Sequence, residues 1–507
     1  MAIKSGNEEL CSLSGRALAQ KIRRGEVSAL DAVEAHIARI EAVNPRLNAV
    51  VVKRYDEARA EARELDRRRA AGQPPGPLGG VPITVKESLD VAGTPSTFGM
   101  PSQKSILAGS DNEYVARLRA AGAIVLGKTN VSQLLLFLET DNPLYGRSNH
   151  PLREDRSPGG SSGGQAAIIA AGGSALGLGT DIGGSIRVPA TFCGLAGIKP
   201  TAGRMDDPSL GSLSPGQRAI LSQVGVLARD VGDVALALSL TNGDIPLGDP
   251  SSVDVGKLRV GFYTDDGTLT PAPAVQRAVR EAAAALRASG AEVVEWTPPD
   301  VPYAMDLFVG ILSADRFAGC RRTLAGNPRD RRIAKIEQIA TRSRPLVWAM
   351  NGLLGLTGRR GLQQIARNYG FSDTDHFWQL CEAQLAYRRR FAAALDAARL
   401  DVILAPACAL PAWRHGATEE LVVAGGYAVL YNLLGYPTGV VPFTRVRPGE
   451  ESVRPPSGDP MEQTARATEE GSAGLPVGVQ VIGRPWREHV VLSTMVALES
   501  GGEPIEA

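Results

Sequence analysis

The stretch AAIIAAGGSALGLGTDIGGSIRVPATFCG, residues 166–194, decides how this chain is read. Its first half is small and apolar without alternation, the pattern of a buried helix followed by a buried strand. The strand ends on Thr180-Asp181 and runs into Ile182-Gly183-Gly184-Ser185. Consecutive glycines carry no Cβ, so their amide N–H groups can converge on one cavity and form an anion nest. Beside a hydroxyl, such a nest can act as an oxyanion hole for acyl transfer, where each donor is worth roughly 2.7–4 kcal/mol in the transition state. Ser185 then reads as a nucleophile, with the amides of Ile182, Gly183, Gly184 and Ser185 as the hole. The same residues also read as a tight turn at a strand end, and both readings stand at this point.

Outward from this stretch, helix and strand patterns alternate. VPITVK (81–86) reads as a short buried strand ending on a lysine, and DNEYVARLRAAG followed by AIVLGKTN, starting at Asp111, as a helix and a strand. KLRVGFYTDD (257–266), the amphipathic helix 273–290 closed by Gly290, and AEVVEWTP form a βαβ unit. LDVILAPAC (400–408) and LPVGVQVIG (475–483) are late strands. Residues 8–70 read as helices, within an N-terminal helical segment 1–75 packed on the core, with Ser28 as an N-cap and Asp31 three residues on. The polar, proline-bearing stretch 447–474 reads as a surface loop. The alternation predicts one large α/β unit with helical additions.

Composition excludes several classes. The 507 residues carry 55 basic and 54 acidic side chains, so nothing global points to nucleic acid. Five scattered cysteines without a C-x-x-C pair predict neither a disulfide framework nor a zinc site. The N-terminus lacks the apolar run of a signal peptide, and no window reads as a spanning helix. The expected location is the cytoplasm.

A nucleophilic serine needs a base. The five histidines (His36, His150, His376, His415, His489) sit in no catalytic motif. Gly159-Gly160-Ser161-Ser162-Gly163 is formally G-x-S-x-G, but NHPLREDRSP before it is no strand, so a nucleophile elbow is not expected. Lys86 remains. A lysine closing a buried strand can be desolvated enough to stay neutral and accept a proton, although a strand-end lysine can equally reach solvent.

Taken together, GGSSGGQAA (159–167), GTDIGGSIRVPATFCGLAGIKPT (179–201) and GVPITVKE (80–87) resemble the amidase signature family of serine hydrolases, over nearly the whole chain. The resemblance implies an α/β fold built on a large mixed sheet with helices on both faces, and a catalytic domain over 76–500. It implies a Ser–Ser–Lys triad: Ser185 as nucleophile, Ser161 as bridging serine on a cis peptide, Lys86 as base. Ser162, Thr180, Asp181 and Arg187 would support the site, the last two as an ion pair. It implies hydrolysis of a small-molecule amide through an acyl-enzyme, with no cofactor and no metal; esters and a homodimer come within its scope. VKES, SIRVPATFCG and YAVLYNLLGYPTGVVP (427–442) resemble the fatty acid amide hydrolase branch and point to a hydrophobic acyl or aryl group. The alternative is the glutaminase component of a tRNA-dependent amidotransferase, its A chain, which shares the triad.

Residues 332–368 hold an apolar centre, PLVWAMNGLLGLTG, bordered by Arg342, Arg344, Arg359 and Arg360. This suits either a helix pair with a solvated basic rim or a helical cap touching a membrane interface. In the second reading Leu346, Val347, Trp348, Leu353 and Leu354 form an apolar collar at the substrate entrance.

Overall fold

The apolar runs become the strands of one mixed sheet. The structure is a computed structural model describing residues 6–207, 216–243, 245–342, 344–356, 363, 373–451 and 453–503. The strands are β1 (Val50–Lys53), β2 (Pro82–Lys86), β3 (Ile124–Thr129), β4 (Leu176–Asp181), β5 (Ala196–Lys199), β6 (Gln223–Ala228), β7 (Arg259–Phe262), β8 (Glu292–Glu295), β9 (Val402–Pro406), β10 (Thr438–Arg445) and β11 (Pro476–Gly483). Their order in the sheet is β1-β3-β2-β4-β6-β5-β10-β11-β9-β7-β8. β3, β2 and β4 run parallel, as do β9, β7 and β8, and the strands between them are antiparallel.

Both faces of this sheet are covered. Along β6, Val224, Val226 and Ala228 join one apolar cluster and Leu227 another. Successive strand residues point to opposite faces, so each face meets its own layer of helices. The second layer includes the helices Gly163–Ala170 and Arg187–Cys193, whose Ala166, Ile169 and Ala190 pack with Leu227 and Val440.

One pairing positions the site. β2 and β4 are parallel neighbours, with Thr84 opposite Gly177 and Val85 opposite Leu178. Their C-terminal ends therefore emerge on one edge, bringing Lys86 to Thr180 and Asp181. The outside of the carboxyl ends of parallel strands is where α/β sheets bind ligands.

Two sequence expectations need correction. Residues 8–70 are not purely helical. The helices Gly6–Ser12, Gly15–Arg24, Ala29–Leu47 and Tyr55–Ala70 are interrupted by β1, which pairs antiparallel with β3 at the sheet edge. Four residues between two long helices carry too short an alternation to read as a strand. The Ser28 cap forms as expected, its Oγ accepting from the Asp31 amide at 2.9 Å. The stretch 447–474 is not only loop, because Pro460–Glu469 is a helix capped by Asp459. Its Met461, Ala465 and Thr468 keep helical spacing and are buried, a signal hidden by the polar residues between them. Among the described residues, no helix is long and apolar enough to cross a membrane.

Candidate active site

Lys86 is fully buried at the end of a central strand. Side chains alternate along β2, so Ile83 and Val85 enter the apolar cluster while Thr84 and Lys86 face the other way. That face is polar: Gln165 donates to Thr84 Oγ1 at 2.6 Å and accepts from Thr129 Oγ1 at 3.1 Å. Lys86 Nζ lies 2.7 Å from Ser161 Oγ, 2.8 Å from Thr180 Oγ1 and 3.4 Å from the Thr180 carbonyl. Burial pulls its pKa down to about 7, against the opposing pull of Asp207, Asp181 and Glu87. A buried ammonium with only hydroxyl and carbonyl partners is poorly compensated, which favours the neutral amine.

The serines are held by backbone. The Gly160–Ser161 peptide is cis. Ser162 N–H donates to the Ser185 carbonyl at 3.2 Å and Ser162 Oγ to the Thr180 carbonyl at 3.4 Å, tying the 159–163 loop to the turn after β4. Helix Gly163–Ala170 starts directly after Ser162, and no strand precedes it, which excludes the nucleophile elbow.

Asp181 organises the turn that carries Ser185. Its carboxylate accepts from the Gly184 amide at 2.8 Å and the Ile186 amide at 3.1 Å, one on each side of Ser185. Gly184 sits at φ +108, where a Cβ would also meet the Ala428 side chain at 2.8 Å, so only glycine fits this turn. The expected oxyanion set is corrected here, because the Gly184 amide is already spent on Asp181. The amides of Ile182, Gly183 and Ser185 have no hydrogen-bond partner among the described residues.

Arg187 forms the expected ion pair with Asp181 at 2.9 Å, both side chains fully buried. Every N–H of its guanidinium is used: two reach Asp181, the others the Ala428 carbonyl, Gln480 Oε1 and Asn432 Oδ1. Burial alone would raise the Asp181 pKa, but Arg187, Lys199 and Asn432 hold it well below the usual carboxylate range. Removing one partner of a buried pair leaves an uncompensated charge, worth about 3–5 kcal/mol. Arg187→Met should therefore lose about that much stability in urea unfolding; a loss below about 1 kcal/mol would contradict this account of the turn.

Ser185, Ile182 and Gly183 line a cavity of about 220 Å³. Several of its walls were not visible in the sequence. Residues 135–138 come from the end of the 3-10 turn Gln133–Leu135 after β3 and the chain that follows it; Phe308 and Leu312 lie one turn apart on the helix Val301–Leu312, and Phe317 follows. Asp206, Asp207 and Ser222 also line it. From 427–442 only Val429 takes part; the rest of that helix and β10 is mostly core. None of the histidines lines this cavity, and His36 and His150 are buried, with burial pulling both pKa values down to about 4. The five cysteines are free thiols, four of them buried.

The segment 332–368 spans the helices Arg331–Ala340 and Arg344–Leu356; residues 357–362 and 364–368 lie outside the described residues. None of its described residues lines the Ser185 cavity. Of the expected collar, Leu346 and Leu353 are exposed and Val347 is buried, while Leu354 is half-buried. The Trp348 side chain lies outside the described residues.

A family model described as Amidase matches residues 31–492. The chain belongs to the amidase family. It is 34% identical to fatty acid amide hydrolase 1 of Caenorhabditis elegans, over 96% of this chain and 88% of that protein. It is also 32% identical to the A chain of the glutamyl-tRNA(Gln) amidotransferase of Roseiflexus castenholzii, over 93% of this chain and 92% of that protein. Among solved structures it matches a fatty acid amide hydrolase with a TM-score of 0.84 and 25% identity, over 98% of this chain and 86% of the other. This amidase is an amide hydrolase with the mixed-sheet α/β fold of its relatives.

Proposed function

We propose that this amidase hydrolyses an amide with a hydrophobic acyl or aryl group, through an acyl-enzyme on Ser185, with Ser161 and Lys86 as the proton relay. The observation that carries the reading is the buried contact of 2.7 Å between Lys86 Nζ and Ser161 Oγ. A neutral lysine offers one lone pair and two N–H donors. The two donors fit Thr180 Oγ1 and the Thr180 carbonyl, and the lone pair is left for the Ser161 hydroxyl.

In the proposed sequence Lys86 accepts the Ser161 proton while Ser161 accepts that of Ser185. Ser185 Oγ bonds to the carbonyl carbon, and the oxyanion develops against the unused amides of Ile182, Gly183 and Ser185. The carbon–nitrogen bond breaks as the proton returns through Ser161 to the leaving nitrogen. Water then adds to the acyl carbon; its second proton restores Ser185, and the carboxylic acid leaves. Thr180 positions Lys86, and Asp181 with Arg187 positions the turn.

The apolar wall of Leu138, Phe308, Leu312, Phe317 and Val429 supports an apolar acyl group. Each buried CH₂ is worth about 0.8 kcal/mol, about fourfold in kcat/KM. For linear acyl amides kcat/KM should climb by about that factor per carbon until the cavity is full. Equal rates on acetamide and hexanamide would contradict the assignment. The glutaminase reading draws on the likeness to the amidotransferase A chain. The purified chain alone should cleave hydrophobic anilides, and a requirement for glutamine and partner proteins would favour that alternative.

A further inference from the structure

The loop that carries Ser161 is held from its two ends. Gly160 and Ser161 make no backbone hydrogen bond among the described residues, so their flanking residues set their place. Both ends of the loop meet on one side chain. Thr140 Oγ1 lies 2.9 Å from the Gly159 carbonyl oxygen and 3.0 Å from the Gly163 amide nitrogen. A carbonyl can only accept and an amide N–H can only donate, so the hydroxyl donates to Gly159 and accepts from Gly163. One threonine thus closes a staple across Gly160, Ser161 and Ser162.

The Gly163 amide needs such a partner. It belongs to the first turn of the helix Gly163–Ala170, where no carbonyl of the helix itself reaches it. Ser162 stands at the capping position but makes no side-chain cap bond; its Oγ instead donates to the Thr180 carbonyl. Thr140 pairs the first-turn amide from another part of the chain.

Thr140 is itself fixed. Its side chain is fully buried and branched at Cβ, which limits its rotation. Its carbonyl accepts from the Ser148 amide at 2.9 Å, and the Glu139 carboxylate before it accepts from the Gly416 amide at 2.6 Å. The two segments are in close contact. A Cβ on Gly160 would meet the Glu139 amide nitrogen at 2.5 Å, and one on Gly163 would strike the Thr140 hydroxyl. The other tie of the loop is Ser162, which joins it to the turn after β4. Between these two anchors Ser161 Oγ comes to 2.7 Å from Lys86 Nζ.

We propose that Thr140 is the positioning residue of the relay: its hydroxyl holds the 159–163 loop where Ser161 Oγ stays within reach of Lys86. Thr140 makes no hydrogen bond to Lys86, Ser161 or Ser185 among the described residues, so it acts through the loop. The proposal rests on the Lys86–Ser161–Ser185 reading.

Thr140→Val keeps the branched shape and removes the hydroxyl; Thr140→Ser keeps the hydroxyl. Two rates are read: labelling by a fluorophosphonate, which needs no knowledge of the substrate, and hydrolysis of hexanoyl anilide. A relay displaced by about 1 Å costs about 10²-fold, so Thr140→Val should lower the labelling rate and kcat by about that factor. Thr140→Ser should stay within about threefold of the unmodified chain. Calorimetry in the Ser185→Ala background should give the anilide the same Kd with and without Thr140→Val, to within about twofold. General damage to the cavity would weaken that binding too. Urea unfolding checks that each variant is folded. If the valine variant fails to fold, Thr140→Cys decides: its thiol, a weak donor and acceptor, should label about tenfold more slowly than Thr140→Ser. Thr140→Val within about threefold of the unmodified chain, while Ser161→Ala falls to its floor, would overturn the proposal and leave the relay standing. So would a Thr140→Ser variant as slow as Thr140→Val, a Thr140→Cys variant as fast as Thr140→Ser, or a Kd that weakens as much as kcat falls. Ser161→Ala labelling at the unmodified rate would instead remove the relay itself, and the proposal with it.

Discussion

Ser185→Ala is expected to abolish both amide turnover and covalent labelling by a fluorophosphonate. In a serine hydrolase whose nucleophile and base act as one unit, losing the nucleophile lowers kcat by on the order of 10⁵–10⁶-fold. What remains is the rate that the oxyanion donors and binding provide without a nucleophile. The change itself is small: one hydroxyl is removed from a turn that Asp181 holds through the amides on either side. Urea unfolding should therefore match that of the unmodified chain to within about 1 kcal/mol, which separates a lost nucleophile from a lost fold. Ser161→Ala and the Ser161→Ala/Ser185→Ala pair should fall to nearly the same floor as Ser185→Ala, because residues of one relay are not additive. Labelling of Ser185→Ala at the unmodified rate would remove Ser185 from the nucleophile's position.

Much of this site could be read in advance because its parts lie close together in the chain or end on buried strands. Lys86 closes the run VPITVK, and the structure keeps it buried. Asp181 and Arg187 are six residues apart across a glycine turn, and they pair. What remained hidden depends on how a turn closes and on distant segments. That Gly184 is spent on Asp181 follows from how the turn closes, and glycine content alone cannot show which amides stay open. Phe308 and Leu312 reach the cavity only because the helix Val301–Leu312 packs against Gly183 and the helix Gly426–Leu434; a Cβ on Gly183 would meet Phe308 at 3.3 Å. Lys128 is a second buried lysine, next to Val85 in the β2–β3 register. It donates to the Pro95 carbonyl and Ser96 Oγ at 2.5 and 2.7 Å, and the nearby Glu87 carboxylate holds the Thr97 and Phe98 amides. Sequence alone does not separate that structural lysine from Lys86. The hydroxyls around each do: Lys86 meets a serine from a second loop, and Lys128 meets the chain just beyond its neighbouring strand.

The pH dependence tests Lys86 most directly. In the proposed relay this lysine accepts a proton only in its neutral form, so activity is lost as pH falls through its pKa and levels off above it. Burial holds that pKa near about 7. The logarithm of kcat/KM should therefore rise with unit slope up to about pH 7 and be flat beyond, whereas an ordinary lysine would keep it rising to about 10.4. Two substitutions separate base from scaffold. Lys86→Met keeps length and apolar bulk without a base and should lower kcat to nearly the floor of Ser185→Ala, on the order of 10⁵-fold. Lys86→Arg keeps the donors but cannot lose a proton in this pH range, so it should be as inactive as the methionine variant. Asp207→Asn removes the neighbouring charge that most favours the ammonium, so the shoulder should move to lower pH, with Asp181 and Glu87 still opposing the shift. A profile that rises near pH 6 and disappears on replacing a single histidine would assign the base elsewhere. A fully active Lys86→Arg would do the same, since a permanently charged side chain at the end of β2 can hold Ser161 in place but cannot take its proton.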